Sequence, residues 1–269
     1  MNSAYRWREA PEAEFAVIGD PVSHSLSPKM HQAAYRALRL IHKYNAIQVP
    51  LGEVDQALSR LVALGYQGIN VTVPLKEEAL EWCDTREPLA AQIRAANTLR
   101  LTNRECINTD VPGFLDTIEP FVFINRTALV LGAGGSARAI AAALLLAGFD
   151  LFLYNRTTAR AEALGEEIGI APDHVRVEAD PAGVSLLVNT TSASLNNDDV
   201  PILWDRAEPE TLAYDLMYAA EPTPFLRAAA SRDLRTMDGR KMLVAQGARS
   251  FEWWLGIEAP QEIMLEALL

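Results

Sequence analysis

The sequence predicts an α/β protein of two domains, and three observations carry that reading. Short apolar runs alternate with helix-patterned stretches over residues 15–110, as expected of strands feeding helices. A second such alternation opens at residues 127–149 (TALVLGAGGSARAIAAALLLAGF), where an apolar run meets a glycine cluster and then a long apolar helix pattern. A chain of 269 residues is also longer than one hydrophobic core usually serves.

In the first region, residues 14–20 (EFAVIGD) are a short apolar run ending at glycine and read as a buried strand. A polar loop, residues 21–28 (PVSHSLSP), follows. Pro28 opens a helix with Ser27 as its N-cap and Met30, Ala33, Ala34, Ala37 and Leu38 as its apolar face. Residues 44–49 read as a second strand, and residues 54–64 as a helix closed by Gly65.

Residues 68–74 (GINVTVP) alternate Ile69, Val71 and Val73 with Asn70 and Thr72, Pro74 stops the ladder, and Lys76 opens the next helix. Two readings stand there: a polar patch and an ammonium at the strand end where open α/β sheets hold ligands, or a solvated strand face with a surface lysine. Helical patterns at residues 77–83 and 89–94 precede two further strands. These are residues 95–101 (AANTLRL), carrying Asn97, and residues 105–110 (ECINTD). Asp110, ahead of a helix at residues 114–118, reads either as a helix cap or as a functional carboxylate.

The second region begins with a strand at residues 128–131, a helix at 137–146 and a strand at 151–154, one βαβ unit of a Rossmann-type, doubly wound parallel sheet. Gly132, Gly134 and Ala137 fit the G-x-G-x-x-G/A spacing of a dinucleotide turn, with Ala133 inside it. Gly135 and Ser136 add amide donors at a helix N-terminus, which favours an anion.

The second strand ends not in the carboxylate that would bond a ribose but in Asn155 and Arg156, followed by Thr157 and Arg160. A guanidinium binds a 2′-phosphate that a carboxylate would repel, which points to NADP(H) over NAD; the plain alternative is an arginine capping a strand. Later strands read at residues 186–189 (followed by Thr190, Thr191 and Ser192), 212–217 and 234–238. Helices read at residues 222–230, 242–256 and 259–269, the second having Leu243, Val244, Ala248, Phe251 and Leu255 on its apolar face and Gln246 as a polar exception.

A net charge of -11 argues against a nucleic-acid surface, and anionic small ligands then need local basic residues. The opening MNSAYRWREAPEAEF has no apolar core, so no secretory signal is expected, and no apolar run is long enough to span a membrane. Cys83 and Cys106 sit in unrelated contexts without metal spacing. Reduced thiols in the cytoplasm, and no metal, are the expectation.

Taken in order, PVSHSLSPKMH, GINVTVPLKE, AANTL, NTDVPGF, VLGAGGSARA, YNRT, TPFL and DGRKMLVAQGA resemble the shikimate dehydrogenase family across nearly the whole chain. The resemblance implies NADP-dependent interconversion of 3-dehydroshikimate and shikimate, a small-molecule substrate and a monomer or homodimer. It implies two α/β domains flanking a cleft. Residues 1–112 with 240–269 would form the substrate-binding and catalytic domain, and residues 113–239 the NADP-binding domain. A paralogue preferring quinate and a non-catalytic NADP-binding sensor are the alternatives.

The resemblance assigns Ser25 and Ser27 to the substrate carboxylate, and Asn70, Thr72, Asn97, Tyr218 and Gln246 to the carboxylate or ring hydroxyls. Lys76 and Asp110 become the catalytic pair. Gly132, Ala133, Gly134, Gly135 and Ser136 cradle the pyrophosphate, with Thr191 in the neighbouring loop. Asn155, Arg156, Thr157 and Arg160 take the adenosine phosphate end, while Leu216 and Gly239 lie near the nicotinamide. Hydride transfer to a carbonyl leaves charge on oxygen, which an ammonium both stabilises and protonates; Asp110 would orient that ammonium. Two departures from the family pattern stand out: Ser194 where a glycine is usual, and Cys106-Ile107 before the NTD.

Overall fold

The computed structural model describes residues 4–191, 193, 200–219 and 221–269. Ser192 and Ser194 of the expected cofactor loop lie outside the described residues. The chain divides into two compact units, one formed by residues up to Gly113 together with Leu243–Leu269, the other by Phe114–Met242.

The first unit is organised on a seven-stranded sheet of β1 (Tyr5–Arg6), β2 (Phe15–Gly19), β3 (Tyr44–Gln48), β4 (Gly68–Val71), β5 (Thr85–Arg86), β6 (Thr98–Arg100) and β7 (Glu105–Ile107). Its order is β1-β3-β2-β4-β6-β7-β5. The first four strands pair in parallel, but β6 runs antiparallel to β4 and β7 antiparallel to β6. These two reversals bring the N-terminal end of β6 to the same edge as the C-terminal ends of β4 and β7. The helices α1 (Ser27–Ala37), α2 (Val54–Ala63), α3 (Lys76–Trp82), α4 (Pro88–Gln92) and α5 (Asp110–Ile118) connect the strands or leave the sheet from that edge.

The second unit carries five parallel strands, β8 (Thr127–Leu131), β9 (Asp150–Tyr154), β10 (Leu186–Asn189), β11 (Leu212–Asp215) and β12 (Arg235–Met237), in the order β12-β11-β10-β8-β9. Its helices are α6 (Gly135–Leu146), α7 (Thr158–Ile168) and α8 (Pro224–Ala230). The order reverses at β8 and β10, the switch point where doubly wound sheets open a crevice outside their strand ends. The chain then returns through α9 (Arg240–Leu255) to α10 (Gln261–Glu266).

In the first unit, α10 packs on α1. Alternate residues of one strand serve different cores. Ala16 and Ile18 join Leu58, Leu61 and Leu75 on one face, while Phe15 and Val17 join Met30, Tyr35, Val244 and Phe251 on the other. A strand buried on both faces reads as a continuous apolar run, which is why residues 15–19 carry no polar side chain. Among the described residues no helix is long and apolar enough to cross a membrane, and no three His, Cys, Asp or Glu side chains gather as a metal site.

Several expectations are corrected. Ser27 is the first residue of α1 rather than its cap. The N-cap position is Leu26, and the Ser27 amide donates to Ser25 Oγ at 3.3 Å. Ala37 and Leu38 are exposed, whereas His31 and Tyr35 are buried, so the helix turns an aromatic stripe inward. Strand β4 ends at Val71, and Val73 is 52% exposed instead of sharing the buried face. Cys83 and Cys106 are not unrelated. They sit in one core cluster, and the hydrogen bond to Cys106, with burial, pushes the Cys83 thiol up. Trp254, half-buried, stacks on Phe15 at 4.9 Å and its Nε1 donates to Leu99 O at 3.0 Å.

Candidate active site

The shared edge of the first sheet gathers the polar residues. Asn97 precedes β6, its carbonyl accepts from Val71 N at 2.8 Å and its amide donates to Ile107 O at 3.3 Å, so it is held between the ends of β4 and β7. Lys76 starts α3 just past β4, and its carbonyl accepts from Ala96 N at 3.0 Å. Asp110 starts α5 just past β7.

The Lys76 Nζ donates to Asp110 Oδ2 at 2.6 Å, with side chains 15% and 11% exposed. That is a short, charge-assisted contact in a partly desolvated place. Asp110 is not the cap of its own helix: Asn108 Oδ1 accepts from the Asp110 amide at 3.0 Å and the Val111 amide at 3.1 Å. The Asp110 carboxylate is thereby left to the ammonium.

Around this pair runs a buried polar network. Asn70 is 5% exposed; its Nδ2 donates to Ser250 Oγ at 2.9 Å, Thr98 Oγ1 at 3.1 Å and Asn97 O at 3.2 Å, and its Oδ1 accepts from the Tyr44 phenol at 2.7 Å. Asn97, 2% exposed, accepts from Thr109 N at 2.7 Å, and its Nδ2 donates to Thr109 Oγ1 at 2.9 Å and Gln246 Oε1 at 3.4 Å. Buried amides with this many partners hold single orientations. Thr72 is half-buried beside Gly19, and Ser25 and Ser27 lie at the start of α1.

A separate groove of about 550 Å³ on this unit is lined by Asp55, Glu77, Glu78, Glu81, Arg94 and Arg104, among others. It contains none of the residues above, and its excess of carboxylates does not suit an anionic ligand.

In the second unit, Gly132 follows β8 at φ +116°, a conformation L side chains rarely adopt. A Cβ there would lie 2.4 Å from Thr190 Oγ1, which itself donates to Leu131 O at 2.7 Å. Ala137 is fully buried, whereas the positions a Cβ would take at Gly134 and Gly135 open on empty space at the start of α6. Ala133 and Ser136 are half-buried in the same turn. This is a cradle that backbone amides can present to an anion.

After β9, Asn155 Nδ2 donates to Thr157 O at 2.9 Å, and exposed Arg156 and Arg160 flank the start of α7. The residues that follow β9 directly, Asn155, Arg156 and Thr157, include no carboxylate. Thr191 N and Oγ1 both donate to Asn189 Oδ1, at 3.1 and 2.8 Å. Leu216 follows β11, and a Cβ on Gly239 would come within 2.0 Å of Leu216 O, so these two backbones touch. Tyr218 belongs to this second unit and Gln246 to the first.

The comparisons with known proteins bear on both units. A family model described as the shikimate dehydrogenase substrate binding domain matches residues 17–99, and the shikimate 5'-dehydrogenase C-terminal domain matches residues 239–269. The shikimate dehydrogenase (NADP(+)) of Desulfitobacterium hafniense (strain Y51) is 38% identical over 263 residues, covering 94% of this chain and 96% of its own. The chain belongs to the shikimate dehydrogenase family.

The Moorella thermoacetica (strain ATCC 39073 / JCM 9320) shikimate dehydrogenase (NADP(+)) is 41% identical over 266 residues, covering 93% of this chain and 90% of its own. Among solved structures, the shikimate 5-dehydrogenase of Thermus thermophilus in complex with NADP(H) and shikimate matches with a TM-score of 0.86 and 38% identity, over 95% of this chain and 98% of that one.

For a shikimate dehydrogenase chain, three structural features escaped the sequence reading. Asn108 could have been found as an Asn set two and three residues before the first helical amides. Tyr44 and the buried pair Asn189 and Asp215, joined at 3.0 Å, could not, since each reads as an ordinary strand residue.

Proposed function

We propose that the protein catalyses the reversible NADP-dependent reduction of 3-dehydroshikimate to shikimate, the first unit serving as the substrate-binding and catalytic domain and the second as the NADP-binding domain. The observation that carries this reading is the Lys76–Asp110 contact of 2.6 Å set among Asn70, Asn97 and Gln246. Bound NADPH supplies the hydride that the C3 carbonyl receives.

The chain's own residues do the rest. Ser25 and Ser27, with the amides of the α1 N-terminus, receive the substrate carboxylate. Asn70, Thr72, Asn97 and Gln246 receive it or the ring hydroxyls, and Tyr218, of the second unit, is assigned the same role. The Lys76 ammonium holds the carbonyl oxygen, stabilises the charge that develops there and donates the proton to it. Asp110 fixes the direction of that ammonium and balances its charge. In the oxidation direction Lys76 takes the proton back from the C3 hydroxyl.

Gly132, Ala133, Gly134, Gly135 and Ser136 would hold the pyrophosphate, with Thr191 beside them, and Asn155, Arg156, Thr157 and Arg160 the adenosine 2′-phosphate. Leu216 and Gly239 would face the nicotinamide. The open space at Gly134 and Gly135 and the two exposed arginines fit that cofactor. The free thiols Cys83 and Cys106 support a reducing, cytoplasmic setting. Steady-state turnover of shikimate with NADP+ tests the reading: reduction of the nicotinamide is expected, and an inert, folded protein refutes it.

A further inference from the structure

Asp215 is wholly buried and has no part in the chemistry above. It is the last residue of β11, in register with Asn189, the last residue of β10. Its Oδ1 accepts from Asn189 Nδ2 at 3.0 Å and from the Met217 amide at 3.0 Å, and its Oδ2 accepts from the Thr223 hydroxyl at 2.6 Å. Desolvating a carboxylate is costly, and several donors converging on it are what offset the cost.

Each of these hydrogen bonds has one direction. Asp215 Oδ1 already accepts from a backbone amide, so the end of Asn189 that faces it is the NH2 group. Asn189 Oδ1 is then turned the other way, where it accepts from Thr191 N at 3.1 Å and Thr191 Oγ1 at 2.8 Å. The Asn189 carbonyl accepts from Leu216 N at 2.9 Å. Thr223 is the N-cap of α8 and its Oγ1 accepts from Leu226 N at 3.3 Å, so its proton goes to Asp215. One carboxylate thereby fixes the segment after β10, the segment after β11 and the start of α8.

Both segments are also held on their outer sides. Thr190 donates to Leu131 O through N at 3.0 Å and through Oγ1 at 2.7 Å, and Thr191 Cγ2 lies 3.3 Å from where a Cβ on Gly132 would be. Met217 O accepts from Gly239 N at 3.4 Å. Asp215 therefore stands between Gly132 and Thr191, assigned to the pyrophosphate, and Leu216 and Gly239, assigned to the nicotinamide. Asn155, Arg156 and Arg160, assigned to the adenosine 2′-phosphate, follow β9, three strands away from β11 in the sheet.

We propose that Asp215 is a positioning residue of the cofactor site. It keeps Thr190 and Thr191 in one arrangement with Leu216 and Met217, so the pyrophosphate and nicotinamide ends of NADP(H) find their contacts already set. The inference rests on the assignment of the second unit to NADP. Preorganisation strengthens binding by removing the ordering cost from it. Affinity for the whole dinucleotide thus depends on Asp215, whereas affinity for the adenosine 2′-phosphate end does not.

Asp215→Asn keeps the shape of the side chain, but one oxygen becomes an NH2 group facing groups that now donate. Equilibrium titration without shikimate compares NADP+, NADPH and adenosine 2′,5′-bisphosphate, each protein being shown to be folded by its unfolding transition. The variant is expected to bind both dinucleotides about tenfold more weakly and the bisphosphate within about twofold of the unmutated protein. Thr223→Val removes the hydroxyl on α8 and is expected to weaken NADP+ about fivefold, again sparing the bisphosphate, while Thr223→Ser binds as the unmutated protein does. In the Asp215→Asn background the effect of Thr223→Val is expected to fall below about twofold, since it acts through the carboxylate. Should Asp215→Asn not fold, the two Thr223 variants carry the test.

Unchanged dinucleotide affinity in folded Asp215→Asn overturns the inference. An equal loss for the bisphosphate also overturns it, because that is a general loosening of the unit. So does a Thr223→Ser protein that binds NADP+ as weakly as Thr223→Val. If the unmutated protein binds neither NADP+ nor the bisphosphate, the functional reading falls and takes this inference with it. Tight binding by the unmutated protein without a selective loss in the variants defeats the inference alone.

Discussion

Lys76 and Asp110 lie 34 positions apart in the chain and meet at 2.6 Å. The antiparallel insertion of β6 between β4 and β7 sets α3 and α5 to start from neighbouring strand ends. The contact is therefore a product of sheet topology. Asp110→Asn keeps the shape of the side chain and removes its charge. It is expected to lower kcat about tenfold or more with little change in Tm. Equal kcat in the variant would show that Asp110 does not serve the ammonium.

Asn108 supports Asp110 from below by accepting two amide hydrogen bonds at the start of α5. Asn108→Ala is expected to cost about 1 kcal/mol of stability, as loss of an N-cap does. It is also expected to lower kcat while leaving KM for NADP+ unchanged. Denaturant unfolding and steady-state rates on one preparation read both effects.

His31 is wholly buried among Tyr35, Tyr44, Phe251 and Trp254, and burial lowers its pKa from the ordinary 6.5 to about 3. The unfolded chain binds the proton first, so this contribution to stability is complete above pH 6.5 and is lost as pH falls toward 3. The slope approaches about 1.4 kcal/mol per pH unit within that window. Between about pH 6.5 and pH 5, where few carboxylates titrate, His31→Phe is expected to flatten the fall of unfolding free energy. An unchanged slope would mean that the imidazole is reached by solvent.

Arg156 and Arg160 flank the start of α7 on the surface. Replacing either with Ala is expected to raise KM for NADP+ about tenfold and to leave KM for NAD+ unchanged, because only NADP+ carries the 2′-phosphate. Parallel losses with both cofactors would place the arginines elsewhere in the chemistry.

The glycine turn after β8 was readable because its spacing is local: Gly132 takes φ +116° and Ala137 is buried. The strand at residues 186–189 was likewise readable from four apolar or amide residues in a row. The helix α7 was not, since its buried apolar residues, Ala161 and Leu164, are few and Gly165 follows them directly. Strands β1 and β5, two residues each, leave no periodicity at all. In the first unit the motifs named the polar residues, but Asn70 and Asn97 are joined through Thr98, Thr109 and Ser250, whose partners are set by strand reversal and by a helix 141 to 180 positions away. Long-range pairings of that kind have no signature in a single stretch.

The most direct test compares the unmutated protein with Lys76→Ala in the oxidation of shikimate by NADP+, each shown to be folded by its unfolding transition. Turnover by the first and a fall of about a hundredfold or more in kcat for the second is the expected result. A folded Lys76→Ala protein that turns over shikimate at the unmutated rate would contradict the account.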